Sequence, residues 1–126
     1  QARPVIRGDA ELLASAVDNV VRNAVRHTPA GSAVDISLGQ HDGSVQVRVR
    51  DHGPGVPAAE LERIFMPFHR VDAGRHREAG GYGLGLAIAR RAVALHKGAI
   101  VAAAAEGGGL EITIRLPLDD VSPVVH

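Results

Sequence analysis

Hydrophobic residues recur at helical spacing in two segments of the chain. The first follows Asp9, a suitable N-cap, and carries apolar side chains at Leu13, Ala16, Val17, Val20 and Ala24. It predicts a helix over residues 10–27, which ends because Thr28 precedes Pro29 and that position disfavours helical geometry. The second predicts a helix over residues 83–96, with Gly98 as its C-terminal stop.

The sequence predicts two β-hairpins. Residues 34–38 and 45–49 alternate on either side of Asp42-Gly43, a dipeptide typical of two-residue hairpin turns. Residues 100–105 and 110–116, on either side of three consecutive glycines, predict a closing hairpin. We also expect a short extended start at Val5, Ile6 and Arg7.

The segment between the first hairpin and the second long helix is less regular. Residues 58–65 predict a short helix that Pro67 closes. Residues 66–80 lose periodicity and gather three arginines and two histidines, which is typical of a long functional loop or lid. The order helix, hairpin, lid, helix, hairpin predicts an α/β fold: a two-layer sandwich in which helices cover one face of a mixed, mostly antiparallel sheet.

Composition narrows the possible functions. A chain of 126 residues that is 45% hydrophobic fits one compact domain, residues 1–126. Its formal net charge of zero and its few aromatic residues argue against nucleic acid as a partner. The absence of cysteine excludes disulfides and thiolate chemistry and favours a reducing compartment. We find no apolar run long enough for membrane insertion of this fragment.

Polar side chains form one stripe on the first helix. Asn19 and Asn23 are one turn apart, and Arg26 and His27 fall on the same side. Two amide oxygens one turn apart can face Mg²⁺, and Arg26 could then meet phosphate charge. The alternative is the solvated polar face of an amphipathic helix, which this stripe taken alone favours.

Asp51 ends an alternating strand and is followed by Gly53 and Gly55. A carboxylate there can accept a hydrogen bond from an exocyclic amine and so select adenine, while the glycines let the backbone approach a ligand. The alternative is that Asp51 caps a turn and that the glycines supply unusual dihedral angles.

A glycine-rich segment, residues 80–86, precedes the second long helix. It leaves backbone N–H groups and the positive end of the helix dipole free for an anion, as in a phosphate cradle. The spacing matches neither a dinucleotide-binding fingerprint nor a P-loop, because Lys97 is the only lysine. Hydrolase and metalloprotease motifs are also absent from the sequence.

Four segments follow in a fixed order: residues 19–27, residues 51–55, Phe-Met-Pro-Phe-His-Arg at 65–70, and Gly-Tyr-Gly-Leu-Gly-Leu at 81–86. They resemble the N box, first glycine box, F box and second glycine box of the GHKL ATP-binding fold. The match is with the catalytic domain of sensor histidine kinases. The resemblance runs from Gly8 to Leu118 and implies the GHKL, or Bergerat, type of α/β sandwich.

The resemblance implies an ATP pocket between the helices and the sheet. Asp51 would bind the adenine amino group, and Asn23 would be the principal Mg²⁺ ligand, with Asn19 as the second. Arg26, His27 and Arg70 would stabilise phosphate charge, with Arg75 and Arg77 of the lid as further helpers. The other residues assigned to the nucleotide are Gly53, Gly55, Phe68, Gly81, Gly83, Leu84, Gly85 and Leu86.

Asn19 bears on the reaction class. In the ATP-hydrolysing relatives of the family this position holds a glutamate that activates water, whereas an amide cannot take a proton. The resemblance therefore implies transfer to a nucleophile brought by another domain. The family's phosphoacceptor motif, a His followed by an acid and then Arg-Thr-Pro, is absent here. We expect a catalytic fragment without the dimerisation and histidine phosphotransfer domain.

The implied partners are the histidine-bearing dimerisation domain of the same kinase and a downstream response regulator. The implied location is the cytoplasm, on a parent protein that is an inner-membrane sensor. Two rival functions remain: a stand-alone serine kinase of the anti-sigma type, which shares nearly every motif, and a nucleotide-sensing module without activity. The F-box pattern favours the histidine kinase over the former, and the intact Asn23, Asp51 and glycine boxes count against the latter.

Overall fold

The computed structural model describes residues 8–69 and 83–118. Helix α1 is Ala10–His27 and helix α2 is Gly85–Leu95. The strands are β1 (Asp35–His41), β2 (Ser44–Arg50), β3 (Ala99–Ala104) and β4 (Leu110–Pro117). None of the described helices is long and apolar enough to span a bilayer.

Helix α1 has the boundaries that its sequence predicts. Asp9 is the N-cap, and its Oδ1 accepts from the backbone N–H groups of Glu11 (2.9 Å) and Leu12 (3.1 Å). This carboxylate pairs two of the donors that a helix N-terminus leaves free. At the other end Thr28 is already extended, as the proline after it requires.

Two hairpins build one antiparallel sheet of order β1-β2-β4-β3. The turn of the first hairpin has positive φ at both Asp42 (47°) and Gly43 (78°), which is the conformation of a type I′ turn. The hairpins join through β2 and β4, where Val47 pairs with Ile114. The three strand pairings of the described part of the chain are all antiparallel, and residues 5–7, expected to be extended, lie outside it.

The core lies between the sheet and the two helices, which pack against each other on one face. Alternate residues of β4 are buried, and the helices contribute a stripe each, so the fold is the predicted two-layer α/β sandwich. The least exposed large side chains of this core are Val20, Val49, Ile64, Val93 and Ile114. Strand β1 lies at the edge of the sheet and is exposed along its whole length.

The short helix predicted over residues 58–65 is wrong. The structure has two separate 3-10 turns, Ala58–Glu60 and Arg63–Phe65. Their hydrogen bonds span three residues, as from the Glu60 N–H to the Pro57 carbonyl (2.8 Å). A segment this short between two prolines has too few residues to offset the nucleation cost of an α-helix, so it adopts the tighter turn.

Helix α2 is shorter than predicted, and its C-terminal stop differs. Lys97, and not Gly98, adopts the left-handed conformation (φ 62°). The N–H of Gly98 bonds to the Val93 carbonyl (2.9 Å) and the N–H of Lys97 to the Ala94 carbonyl (3.0 Å), which is a Schellman motif. Gly98 is needed for space, because a Cβ there would lie 2.4 Å from the Arg115 carbonyl oxygen.

Candidate functional site

The polar stripe of α1 faces the N-terminus of α2 across a cavity of about 190 Å³. Both helices are held against the sheet and each other by their buried faces. Its lining residues are Asn19, Arg22, Asn23, Arg26, Gly83, Leu84, Gly85 and Leu86. The structure thus brings together three of the predicted α1 residues and four residues of the predicted phosphate cradle.

The α2 end of this cavity presents a free helix N-terminus. Leu84 occupies the N-cap position and makes no side-chain capping hydrogen bond. Gly85 is the first residue of α2, and a Cβ there would lie 3.6 Å from Oδ1 of Asn19. The backbone N–H groups of the first turn and the positive end of the helix dipole are therefore available to an anion beside Asn19.

Asn23 has a buried amide that the protein leaves incompletely paired. Its Nδ2 is buried with no hydrogen-bond acceptor among the described residues. A buried donor without a partner costs about 1–3 kcal/mol, so such a group within a cavity is a candidate ligand contact. The backbone carbonyl of Asn23 is bonded to Nδ1 of His27 at 2.9 Å, which fixes the last turn of the helix.

The donor set of the cavity fits Mg²⁺ only when the metal arrives with a phosphate ligand. Among residues 8–69 and 83–118, no group of three His, Cys, Asp or Glu side chains could hold a metal ion. Asn19 and Asn23 offer two neutral amide oxygens, whereas Mg²⁺ is commonly held by few protein ligands together with water and substrate phosphates. Arg22 and Arg26 supply positive charge for those phosphates.

Asp51 is buried, with a relative exposure of 3%, at the end of β2. Its Oδ1 accepts from the backbone N–H groups of Gly53 and Leu110, both at 3.0 Å. The carboxylate therefore caps a turn, which was the alternative to ligand binding. No described residue donates a hydrogen bond to Oδ2, so turn capping uses only one of the two oxygens.

The glycines that follow Asp51 serve backbone packing. A Cβ at Gly53 would lie 2.1 Å from the carbonyl oxygen of His27, so close packing against the backbone of α1 by itself requires glycine there. Gly55 has a positive φ of 80°, which explains glycine there by conformation. The loop is also tied to α1 by a hydrogen bond from the His52 N–H to Oγ1 of Thr28 (3.1 Å).

The other predicted residues lie apart from the cavity or outside the described chain. His27 is buried at the end of α1, and Asp51, Gly53, Gly55 and Phe68 do not line the cavity either. Phe68 is 73% exposed, and its N–H bonds to the Gly83 carbonyl (3.1 Å). The described part of the predicted lid ends at His69; the predicted site residues Arg70, Arg75, Arg77 and Gly81 lie outside the described residues.

Sequence reasoning missed Arg22. Its side chain lines the cavity, and its Nε lies 2.8 Å from Oδ2 of Asp18, one turn earlier. Arg22 follows Asn19 by three residues and precedes Arg26 by four, which are the spacings of neighbours on one helix face. Helical periodicity alone could therefore have added it to the stripe.

Residues 8–120 match the family described as histidine kinase-, DNA gyrase B-, and HSP90-like ATPases. The chain belongs to this family. Its fold superposes on that of the mycobacterial sensor histidine kinase MprB with a TM-score of 0.81 and 35% identity, over 92% of this chain and 78% of that one. The resemblance predicted from the four boxes is confirmed.

Two further relatives are much longer than this chain. The histidine-protein kinase BaeS of Escherichia coli is 40% identical over 112 residues, which are 89% of this chain and 24% of BaeS. The full-length kinase ShkA, solved in complex with AMPPNP, has a TM-score of 0.77 and 34% identity, covering 95% of this chain and 24% of that one. The chain thus spans about a quarter of the length of these relatives.

Proposed function

We propose that this domain binds ATP with Mg²⁺ and transfers the γ-phosphate to a histidine on a separate helical domain of a sensor kinase in two-component signalling. The observation that carries the proposal is the cavity in which the buried amide of Asn23 faces the uncapped N-terminus of α2. Amide oxygens for a cation, arginines and a helix dipole for phosphate are the groups that such a substrate requires.

In this proposal the polar stripe of α1 and the N-terminus of α2 contact the phosphates from opposite sides of the cavity. Asn23 and Asn19 hold Mg²⁺ through their amide oxygens, and the metal neutralises charge on the phosphates when it is bound. Arg26 and Arg22 face the same cavity and stabilise phosphate charge from the α1 side. The first-turn N–H groups of α2 do so from the other side. The family resemblance also assigns phosphate contacts to Arg70 and to His27, which does not line this cavity.

Transfer, and not hydrolysis, is the reaction that Asn19 supports. The residue lines the cavity, but its amide has no basic atom that could take a proton from water. The nucleophile must therefore come from elsewhere, and a histidine carried by another domain is the one proposed here. That domain would be the dimerisation domain of the same kinase, and a response regulator would receive the phosphate next. We place the domain on the cytoplasmic side of a membrane sensor.

Adenine recognition is assigned to Asp51. Because Oδ1 already accepts two backbone hydrogen bonds, Oδ2 is the oxygen for the adenine amino group. Asp51→Asn tests this assignment sharply, since Asn keeps an oxygen for the backbone N–H groups and places an NH2 donor opposite the adenine NH2 donor. We expect the variant to remain folded and to lose the preference for ATP over GTP in a competition titration. An undiminished preference would leave Asp51 with its turn-capping role alone.

Titration of the domain with Mg-ATP tests the phosphate half of the site. We expect Asn23→Ala to bind Mg-ATP at least about tenfold more weakly, a loss of about 1.4 kcal/mol or more. The control is Ser15→Ala, an exposed polar residue on the same helix, which should bind like the native domain. Native affinity in Asn23→Ala would remove the amide from the site.

A further inference from the structure

The face of the sheet opposite the helices carries a second polar hollow. It has a volume of about 410 Å³ and lies over β1, β2 and β4, away from the nucleotide cavity. Its lining residues are Ser37, Leu38, Gly39, Gln40, His41, Gln46, Arg48 and Arg115. In the strand register Gln46 lies between Gly39 and Arg115. Because Gly39 has no side chain, the space beside Gln46 on the β1 side is not filled.

Gln46 is buried on a face that has no helix over it, with a relative exposure of 8%. Its amide has one oxygen, and two arginines compete for that oxygen. In one orientation Oε1 accepts from Nη2 of Arg48 at 3.3 Å; in the other it accepts from Nε and Nη2 of Arg115, both at 3.2 Å. The orientation toward Arg115 satisfies both amide atoms, and in that orientation Arg48 loses the Gln46 oxygen as an acceptor.

Within residues 8–69 and 83–118, these two arginines also lack a carboxylate partner. No ion pair of the described residues includes Arg48 or Arg115. The neighbouring hollow shares Arg115 and adds Lys97, while its one acid, Asp42, lies 3.1 Å from His41. Two guanidinium groups that line the same hollow beside one amide offer several N–H donors and positive charge to an anion.

We propose that this hollow is a binding site for a small oxyanion of the phosphate or carboxylate type. Arg48 and Arg115 bind it through their guanidinium donors, and the hydroxyl of Ser37, which pairs with Arg48 in the strand register, provides a neutral donor at the rim. Gln46 is a positioning residue that keeps the two guanidinium groups over the hollow. The anion supplies the acceptor that the amide cannot provide to both arginines.

The test is an NMR titration of the nucleotide-free native domain with inorganic phosphate, against sodium chloride at the same ionic strength. We expect saturable shifts of the Gly39, Gln46 and Arg115 amides with phosphate and none with chloride. Acetate in a parallel titration shows whether a carboxylate is also bound. Arg48→Gln and Arg115→Gln should each bind phosphate at least about tenfold more weakly. Arg91→Gln, an equal charge change on an exposed face of α2, should bind like the native domain.

Two further variants distinguish binding in this hollow from binding in the nucleotide cavity. Gly39→Val adds a side chain where nothing lies within 4 Å, so it should leave the fold intact and weaken phosphate binding. Arg26→Gln alters the nucleotide cavity and should leave these shifts unchanged. The proposal fails if phosphate and chloride act alike, if Arg91→Gln loses as much affinity as Arg48→Gln, or if Arg26→Gln alone abolishes the shifts. None of these results depends on the kinase activity proposed above.

Discussion

Gly53 is the point where the Asp51 loop meets the end of α1, and Gly53→Ala probes that contact. The new Cβ would lie 2.1 Å from the His27 carbonyl oxygen and 3.0 Å from its carbon, so the two backbones must separate by roughly 1 Å. The atom that it meets is backbone and cannot rotate away. The separation also strains the bonds of His52 to Thr28 and of Gly53 to Asp51.

Overpacking of this kind costs about 1–3 kcal/mol, against a total stability of about 5–15 kcal/mol for a small domain. For a chain of this length that corresponds to a fall in Tm of roughly 4–12 °C. Thermal unfolding followed by circular dichroism is the assay. The matched control is Gly39→Ala on β1, where a Cβ would meet nothing within 4 Å and stability should be unchanged or slightly raised. Equal Tm values for the two variants would refute the close contact between the loop and α1.

Three further predictions concern single positions. Asp51→Ala leaves the N–H groups of Gly53 and Leu110 without their acceptor, so the free energy of unfolding measured in urea should fall by about 2–4 kcal/mol. A fall of less than about 0.5 kcal/mol would contradict the two hydrogen bonds described. Lys97→Gly relieves a left-handed residue at the end of α2 and should raise the Tm, whereas a fall would argue against the Schellman motif. Gly98→Ala should lower the Tm because its Cβ meets the Arg115 carbonyl at 2.4 Å, and unchanged stability would disprove that contact.

Periodicity predicted the elements of this fold well where the pattern was long. The boundaries of α1 and the Asp42-Gly43 turn depend on residues next to them in the sequence. These local preferences predicted both features, and the structure has both. The joining of the two hairpins through β2 and β4 is a contact between residues far apart in sequence, which no local pattern encodes. The prediction for residues 58–65 was wrong because a segment this short between two prolines has too few residues to offset the nucleation cost of an α-helix.

The sequence predicted which α1 residues lie at the site better than it predicted the contacts that Asp51 and Gly53 make. Spacing alone placed Asn19 and Asn23 on one side of α1, and the structure confirms that they face the same cavity. The role of Gly53 could not be read from sequence, because its neighbour, the His27 carbonyl, is brought there by tertiary packing. Asp51 accepts hydrogen bonds from two backbone N–H groups. One of them belongs to Leu110, which is 59 residues away, so this arrangement also depends on tertiary packing.

Phosphotransfer in trans is the most direct test of the central claim. The domain is mixed with Mg²⁺, γ-labelled ATP and a separately produced helical domain that carries the phosphoacceptor histidine. We predict label on the helical domain that is lost in acid and kept in base, as expected of a phosphohistidine, and no label with Asn23→Ala. Label that is stable in acid would instead indicate a serine kinase. ATP binding without any transfer to the helical domain would contradict the proposed activity and favour a nucleotide-sensing module.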